Sequence, residues 1–117
     1  GKKRYFLIVV IDDIIIGSIE YGKSNDLVIT CTNGELEGIV EIGTVFVHPE
    51  YQRKGIGNLM LMQIMNKLNN NGIKEFCIES GYKSAQKIWI NKFGKPEYHL
   101  KDYWDKDADH MIWRLKV

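Results

Sequence analysis

β-Branched, strand-like runs dominate the chain up to about residue 47, and helical spacing of apolar residues takes over from residue 55. Tyr5–Ile11 and Ile14–Tyr21 are two such runs separated by Asp12-Asp13, which predicts a strand pair joined by a tight turn. Leu27–Thr32 and Leu36–Val47 predict a second pair across Asn33-Gly34, a strong hairpin signal. In the latter run polar and apolar residues alternate from Glu35 to Glu41 and then become nearly all apolar or small. That change predicts a strand exposed at its start and buried at its end.

Between Gly55 and Asn71 the apolar stripe Leu61, Ile64, Met65, Leu68 faces away from Asn66, Lys67 and Asn70, and Gly72 supplies a stop, so a helix is expected. Leu59, Met60 and Met62 make its first turns apolar on most sides, as for a helix packed on a sheet. Lys74–Ser80, centred on Phe76-Cys77-Ile78, then predicts a strand reached by a right-handed β-α-β crossover and paired in parallel. Ser84–Phe93 reads as a second helix, ended by Gly94 and Pro96. Glu97–Trp104 and His110–Val117 close the pattern as strands around a polar loop, Asp105–Asp109. The expected class is α/β (α+β): a mixed, mostly antiparallel sheet with two main helices, in one domain over residues 1–117.

Composition narrows the function classes. A formal net charge of +1 argues against a general nucleic-acid binder. Locally, Ser80 to Pro96 carries Lys83, Lys87, Lys92 and Lys95 and no acid, which fits either a solvated helix face or a positive rim for phosphates. Cys31 and Cys77 lie in apolar runs outside any C-x-x-C pair and read as buried, reduced thiols. His48, His99 and His110 are scattered, so no zinc site is expected, and Asp102, Asp105, Asp107 and Asp109 read as a solvated loop, not a calcium site. The apolar runs are too short to span a bilayer and nothing resembles a signal peptide, so the expected location is cytoplasmic, with no membrane partner.

The chemistry concentrates in Val45 to Asn58, where an apolar strand breaks at Pro49 and a basic turn opens a helix. A helix N-terminus offers unpaired N–H groups and the positive end of the dipole. Gly55 and Gly57 remove side chains that would keep a diphosphate away, while Gln52, Arg53 and Lys54 add polar and cationic groups. No G-x-x-x-x-G-K-[ST] occurs, and the third glycine and downstream acid of a dinucleotide fingerprint are missing.

Gln52-Arg53-Lys54-Gly55-Ile56-Gly57 resembles the Q/R-x-x-G-x-G/A signature of the GCN5-related N-acetyltransferases (GNAT), and the order of elements is similar over nearly the entire chain. The resemblance implies acetyl-CoA as co-substrate, with pyrophosphate on Gln52, Arg53, Lys54, Gly55, Ile56, Gly57 and Asn58. It implies pantetheine lying as a surrogate strand on the backbone of Val45, Phe46 and Val47, and transfer to a primary amine of an unknown acceptor, without a metal. Glu41 stands at a distance before Gln52 similar to that of the family's glutamate base; it also fits the polar face begun by Glu35 and Glu37, and Glu79 is the fallback. The family's tyrosine acid would fall on Ile90 or Trp89, so Tyr82 is the substitute, with Tyr98 and Tyr103 behind it. The family's asparagine at the start of the second helix is absent; Lys83, Ser84 and Lys87 stand nearby as coenzyme contacts. The family's opening strand and helix pair also have no counterpart, which suggests a truncated or excised chain whose acceptor groove is open or completed by another polypeptide. These departures keep a rival in view: a degenerate module that holds or senses acyl-CoA without transferring it.

Overall fold

The structure is a computed structural model that describes residues 4–117, Thr44 by its backbone alone. Strands β1 (Arg4–Ile11) and β2 (Ile14–Lys23) lead to a short helix α1 (Asp26–Cys31) and then strand β3 (Val40–Val47). A 3-10 turn (Pro49–Tyr51) precedes helix α2 (Ile56–Asn70), strand β4 (Glu75–Ser80), helix α3 (Lys83–Phe93) and strands β5 (Tyr98–Asp105) and β6 (Ala108–Lys116). The six strands form one sheet in the order β1-β2-β3-β4-β6-β5. Only β3 and β4 run parallel, as the α2 crossover requires.

Side-chain alternation gives the sheet two different faces. On one, Ile42, Phe76, Ile78, Met111 and Trp113 pack against Met60, Leu61, Ile64 and Leu68 of α2, with Trp89 and Phe93 of α3 joining them. On the other, Cys77 and Ile112 meet Val28 of α1 and Leu36. Leu59 and Met62, read from the sequence as packed, are exposed on α2. No described helix is long and apolar enough to cross a membrane.

The first hairpin is as expected, with Asp12 and Asp13 both at positive φ. The second is not. Residues 26–31 are helical and β3 begins only at Val40, although Leu27–Thr32 is rich in β-branched residues. Capping overrides that propensity: the Asn25 side chain accepts from Val28 N at 2.9 Å, Asp26 sits in the first turn, and Thr32 Oγ1 donates to Val28 O at 2.8 Å. Asn33 and Gly34 do take positive φ, 51° and 82°, but they end a helix, with Gly34 N donating to Ile29 O at 2.8 Å. The closing hairpin is also tighter than expected. Only Lys106 and Asp107 turn, and Asp109 lies within β6.

The site begins with an irregularity in β3. Ser18 pairs with Phe46 and Glu20 with Gly43, so Ile19 stands opposite two residues, Thr44 and Val45. Such a bulge bends its strand. Across the sheet, β3 and β4 pair only at Val40–Phe76 and Glu41–Cys77, and no further pair joins them among the described residues. The two strands therefore splay from Ile42 onward and open a cleft through the sheet.

Candidate active site

At one end of the cleft is the helix that the sequence singled out. Gly55 is the N-cap of α2 at φ 85°, a conformation that suits glycine and disfavours other residues, and no described side chain caps the helix. The first-turn N–H groups are thus left for an external acceptor. Gln52 Nε2 donates to Val47 O at 3.0 Å, tying the basic turn to the end of β3, and the Lys54 ammonium lies 5.6 Å over the Tyr51 ring. Facing this end is a recess of about 680 Å³ walled by Val45, Val47, Gln52, Arg53, Gly55, Ile56, Gly57 and Asn58 on one side and Ser84, Ala85, Trp89 and Lys92 on the other. Lys92 reaches across to Asn58, linking the last turn of α3 to the first turn of α2.

A second recess of about 650 Å³ shares Val45, Ala85 and Trp89 with the first and continues to the α1 face, where Glu79, Tyr82, Trp104 and His110 line it. Gln86, buried on α3, anchors this part by donating to Ser80 O at 2.9 Å and Asp109 O at 3.0 Å. One continuous opening therefore joins the uncapped start of α2 to a carboxylate.

Most of the expected residues meet here, but not all in the expected way. Phe46, Lys54 and Lys87 are not on the cleft wall, whereas Lys92 is. Glu41 is buried and held by Asn25, whose N donates to Oε1 at 2.9 Å and whose Nδ2 donates to Oε2 at 3.2 Å. The wall carboxylate is Glu79. Tyr82 stands exposed at the cleft mouth, and Tyr103 stacks edge-on against Trp104. Tyr98 packs with the α1-side cluster, away from the cleft wall, and its hydroxyl donates to Glu35.

Burial pushes the Glu41 carboxyl from its ordinary 4.5 up to about 7. The Asn25 N–H and Arg4 oppose the rise, and the neighbouring Glu79 adds to it through its charge and as a hydrogen-bonding neighbour. Glu79 Oε2 is buried without a hydrogen-bond partner among the described residues. Two carboxyls can meet there if one carries a proton. The Cys77 thiol, buried beside both acids, is pushed up to about 12 and stays protonated.

The raised Glu41 value has a stability consequence. The folded chain holds this proton to higher pH than the unfolded chain, so the contribution is full below about pH 4.5 and lost as pH rises through about 7. A Glu41→Gln variant should lose less stability than the parent between pH 5 and pH 8, as read by thermal melts at the two values. An equal loss in both proteins would remove Glu41 as the source.

Among the described residues no group of three or more His, Cys, Asp or Glu could hold a metal ion. The site therefore belongs to an α/β fold in which a crossover helix with an uncapped N-terminus stands beside a split parallel strand pair. The family model of the acetyltransferase (GNAT) family matches residues 1–95, and the chain belongs to that family of acetyltransferases. Solved structures share the fold. A Desulfovibrio desulfuricans protein assigned to the GNAT family is 20% identical with a TM-score of 0.76, the match covering 97% of this chain and 69% of that one. The ribosomal-protein-S18-alanine N-acetyltransferase of Escherichia coli is 17% identical with a TM-score of 0.72, covering 100% and 71%. A GNAT acetyltransferase from Elizabethkingia anophelis with acetyl-CoA bound is 15% identical with a TM-score of 0.69, covering 96% and 77%. No curated protein matches the chain in sequence.

Proposed function

We propose that this chain moves an acetyl group from acetyl-CoA to a primary amine by direct attack in a ternary complex. The observation that carries the reading is the continuity of the cleft from the uncapped start of α2 to Glu79. The pyrophosphate sits on the N–H groups after Gly55, with Arg53 and Lys92 as nearby cations. The pantetheine arm lies against β3, whose backbone from Ile42 onward has no strand partner on the β4 side among the described residues and pairs with the arm's amides. The acetyl-CoA held by the Elizabethkingia anophelis protein supports this choice of donor.

At the far end the amine enters as an ammonium, and one proton passes to the Glu79–Glu41 pair, directly or through one water. The freed nitrogen attacks the thioester carbon, and backbone N–H groups of the β3 bulge stabilise the oxyanion. Collapse breaks the C–S bond; the thiolate takes a proton from Tyr82 at the mouth, and the second proton that the nitrogen sheds on becoming an amide passes through water to restore the Tyr82 hydroxyl. Because the Glu41 carboxyl loses its proton near pH 7, the rate should rise with pH through that region.

A rival reading, binding without transfer, draws on Trp89 and Ile90, which occupy the stretch of α3 where the family's tyrosine acid was expected and have no phenolic proton. Two measurements separate the readings. Acetyl-CoA at a hundredfold excess over its dissociation constant should stabilise the fold by about 2.7 kcal/mol. Release of coenzyme A thiol, assayed with a panel of polyamines, amino acids, aminoglycosides and peptides, should depend on the amine and climb through pH 7. Stabilisation without amine-dependent release supports the binding module, and no stabilisation at millimolar acetyl-CoA contradicts both.

A further inference from the structure

We infer that Trp104 is a positioning residue for the acetyl-transfer base: its indole N–H fixes His110 in the tautomer that donates to Glu79, and leaves the other Glu79 oxygen for Glu41. The inference rests on the reading of Glu79 and Glu41 as the base.

The geometry allows one proton arrangement. Trp104 Nε1 lies 3.2 Å from His110 Nδ1, and an indole nitrogen can only donate. Nδ1 is therefore the acceptor, and the ring proton sits on Nε2, which is 3.1 Å from Glu79 Oε1. His110 is 2% exposed, so water does not compete for either nitrogen.

Trp104 itself is 55% exposed on the cleft wall, and core packing alone does not account for its fixed seat. Gly81 makes the seat possible. A Cβ at that position would lie 2.8 Å from Trp104 Nε1 and 3.4 Å from His110 Nδ1, so a side chain there would crowd the indole nitrogen where it meets the imidazole.

The titratable groups around the ring come from several elements. Glu79 and, behind it, Cys77 come from β4, and Glu41 comes from β3. Tyr103 of β5 lies with its ring 5.7 Å from His110 and interacts with Cys31 at the end of α1. Arg4 acts on Glu41 and Arg114 on Cys77. A second proton on His110 has to enter at Nδ1, where the indole N–H already points. The proton taken from the amine is therefore kept on the carboxyl pair, and Glu79 faces a neutral donor instead of an imidazolium.

The test is the ring spectrum of ¹⁵N-histidine in the full chain at pH 7. The expected result is one Nε2–H tautomer at His110 in the parent. In Trp104→Phe, which keeps an aromatic ring and loses the N–H, exchange between tautomers is expected. Amine-dependent thiol release should fall about fivefold in kcat, the equivalent of one neutral hydrogen bond, with the KM for acetyl-CoA unchanged. An Nδ1–H tautomer in the parent, or an unchanged tautomer in Trp104→Phe, overturns the inference. If the variant does not fold, the parent spectrum decides alone. If Glu79→Gln keeps full activity while the tautomer is as expected, the base assignment fails and the lock stands.

Discussion

Replacing Glu79 by Gln is expected to lower acetyl transfer at pH 7 by about 10²–10³-fold, the usual contribution of a positioned general base. Affinity for acetyl-CoA should change less than about twofold, because the carboxylate lies beyond the thioester end of the cleft and makes no phosphate contact in the proposed complex. Glutamine keeps the size and still accepts from His110, so the variant removes basicity with little disturbance of packing. Glu41→Gln should behave differently. Its carboxyl is buried and held by Asn25, so transfer should fall only about tenfold, as for a group that acts through its neighbour. The acidic limb of the pH–rate profile near pH 7 should also disappear, since the carboxyl that titrates there is gone. Should Glu41→Gln abolish transfer and Glu79→Gln spare it, the two roles are exchanged.

The second large effect concerns the other end of the cleft. Gly57→Asp should raise the dissociation constant of acetyl-CoA by about 100-fold, measured by calorimetry, with little change in melting temperature. A Cβ at Gly57 would lie 3.9 Å from Val47 Cγ2, an ordinary contact, and Gly57 is not at positive φ. The protein alone therefore tolerates a side chain there, near a helix start that favours acids. A carboxylate in that recess would take the place of a phosphate oxygen and repel the rest. Unchanged affinity in this variant would move the pyrophosphate away from α2.

Much of this arrangement was legible in the chain because it is written locally. Pro49, Gly55, Gly57 and Gly72 fix where β3 stops, where α2 starts and where it ends, and a strand on either side of one helix leaves parallel pairing as the simplest geometry. Leu27–Thr32 misled because β-branched propensity and Asn33-Gly34 both point to a hairpin. The opposing signals, Asn25 as a cap with Asp26 after it, were present in the sequence and decided the outcome. The bulge at Thr44 and Val45 left no sequence mark, since it depends on the register of two strands 25 residues apart.

The chemistry divides the same way. Glu41 stood out by its distance from Gln52, and the choice between it and Glu79 depends on which side chain reaches the cleft wall. His110 and Trp104 were missed as a pair. They come from the closing hairpin, and β6 alternation would have placed His110 with Ile112 and Arg114 on one face. Nothing in the sequence says that this face meets Glu79. Lys92 was seen only as one of four lysines, and its reach across to Asn58 depends on how α3 lies along α2.

The central claim is that acetyl-CoA occupies the split between β3 and β4 with its pyrophosphate at the start of α2. Amide spectra of the ¹⁵N-labelled chain titrated with acetyl-CoA test it most directly. The expected result is that the largest shifts fall at Val45, Val47, residues 52–58 and residues 84–92, while the amides of residues 6–15 on the far strands stay still. Shifts confined to those far strands or to the β5–β6 hairpin, or none at millimolar acetyl-CoA, would contradict the account.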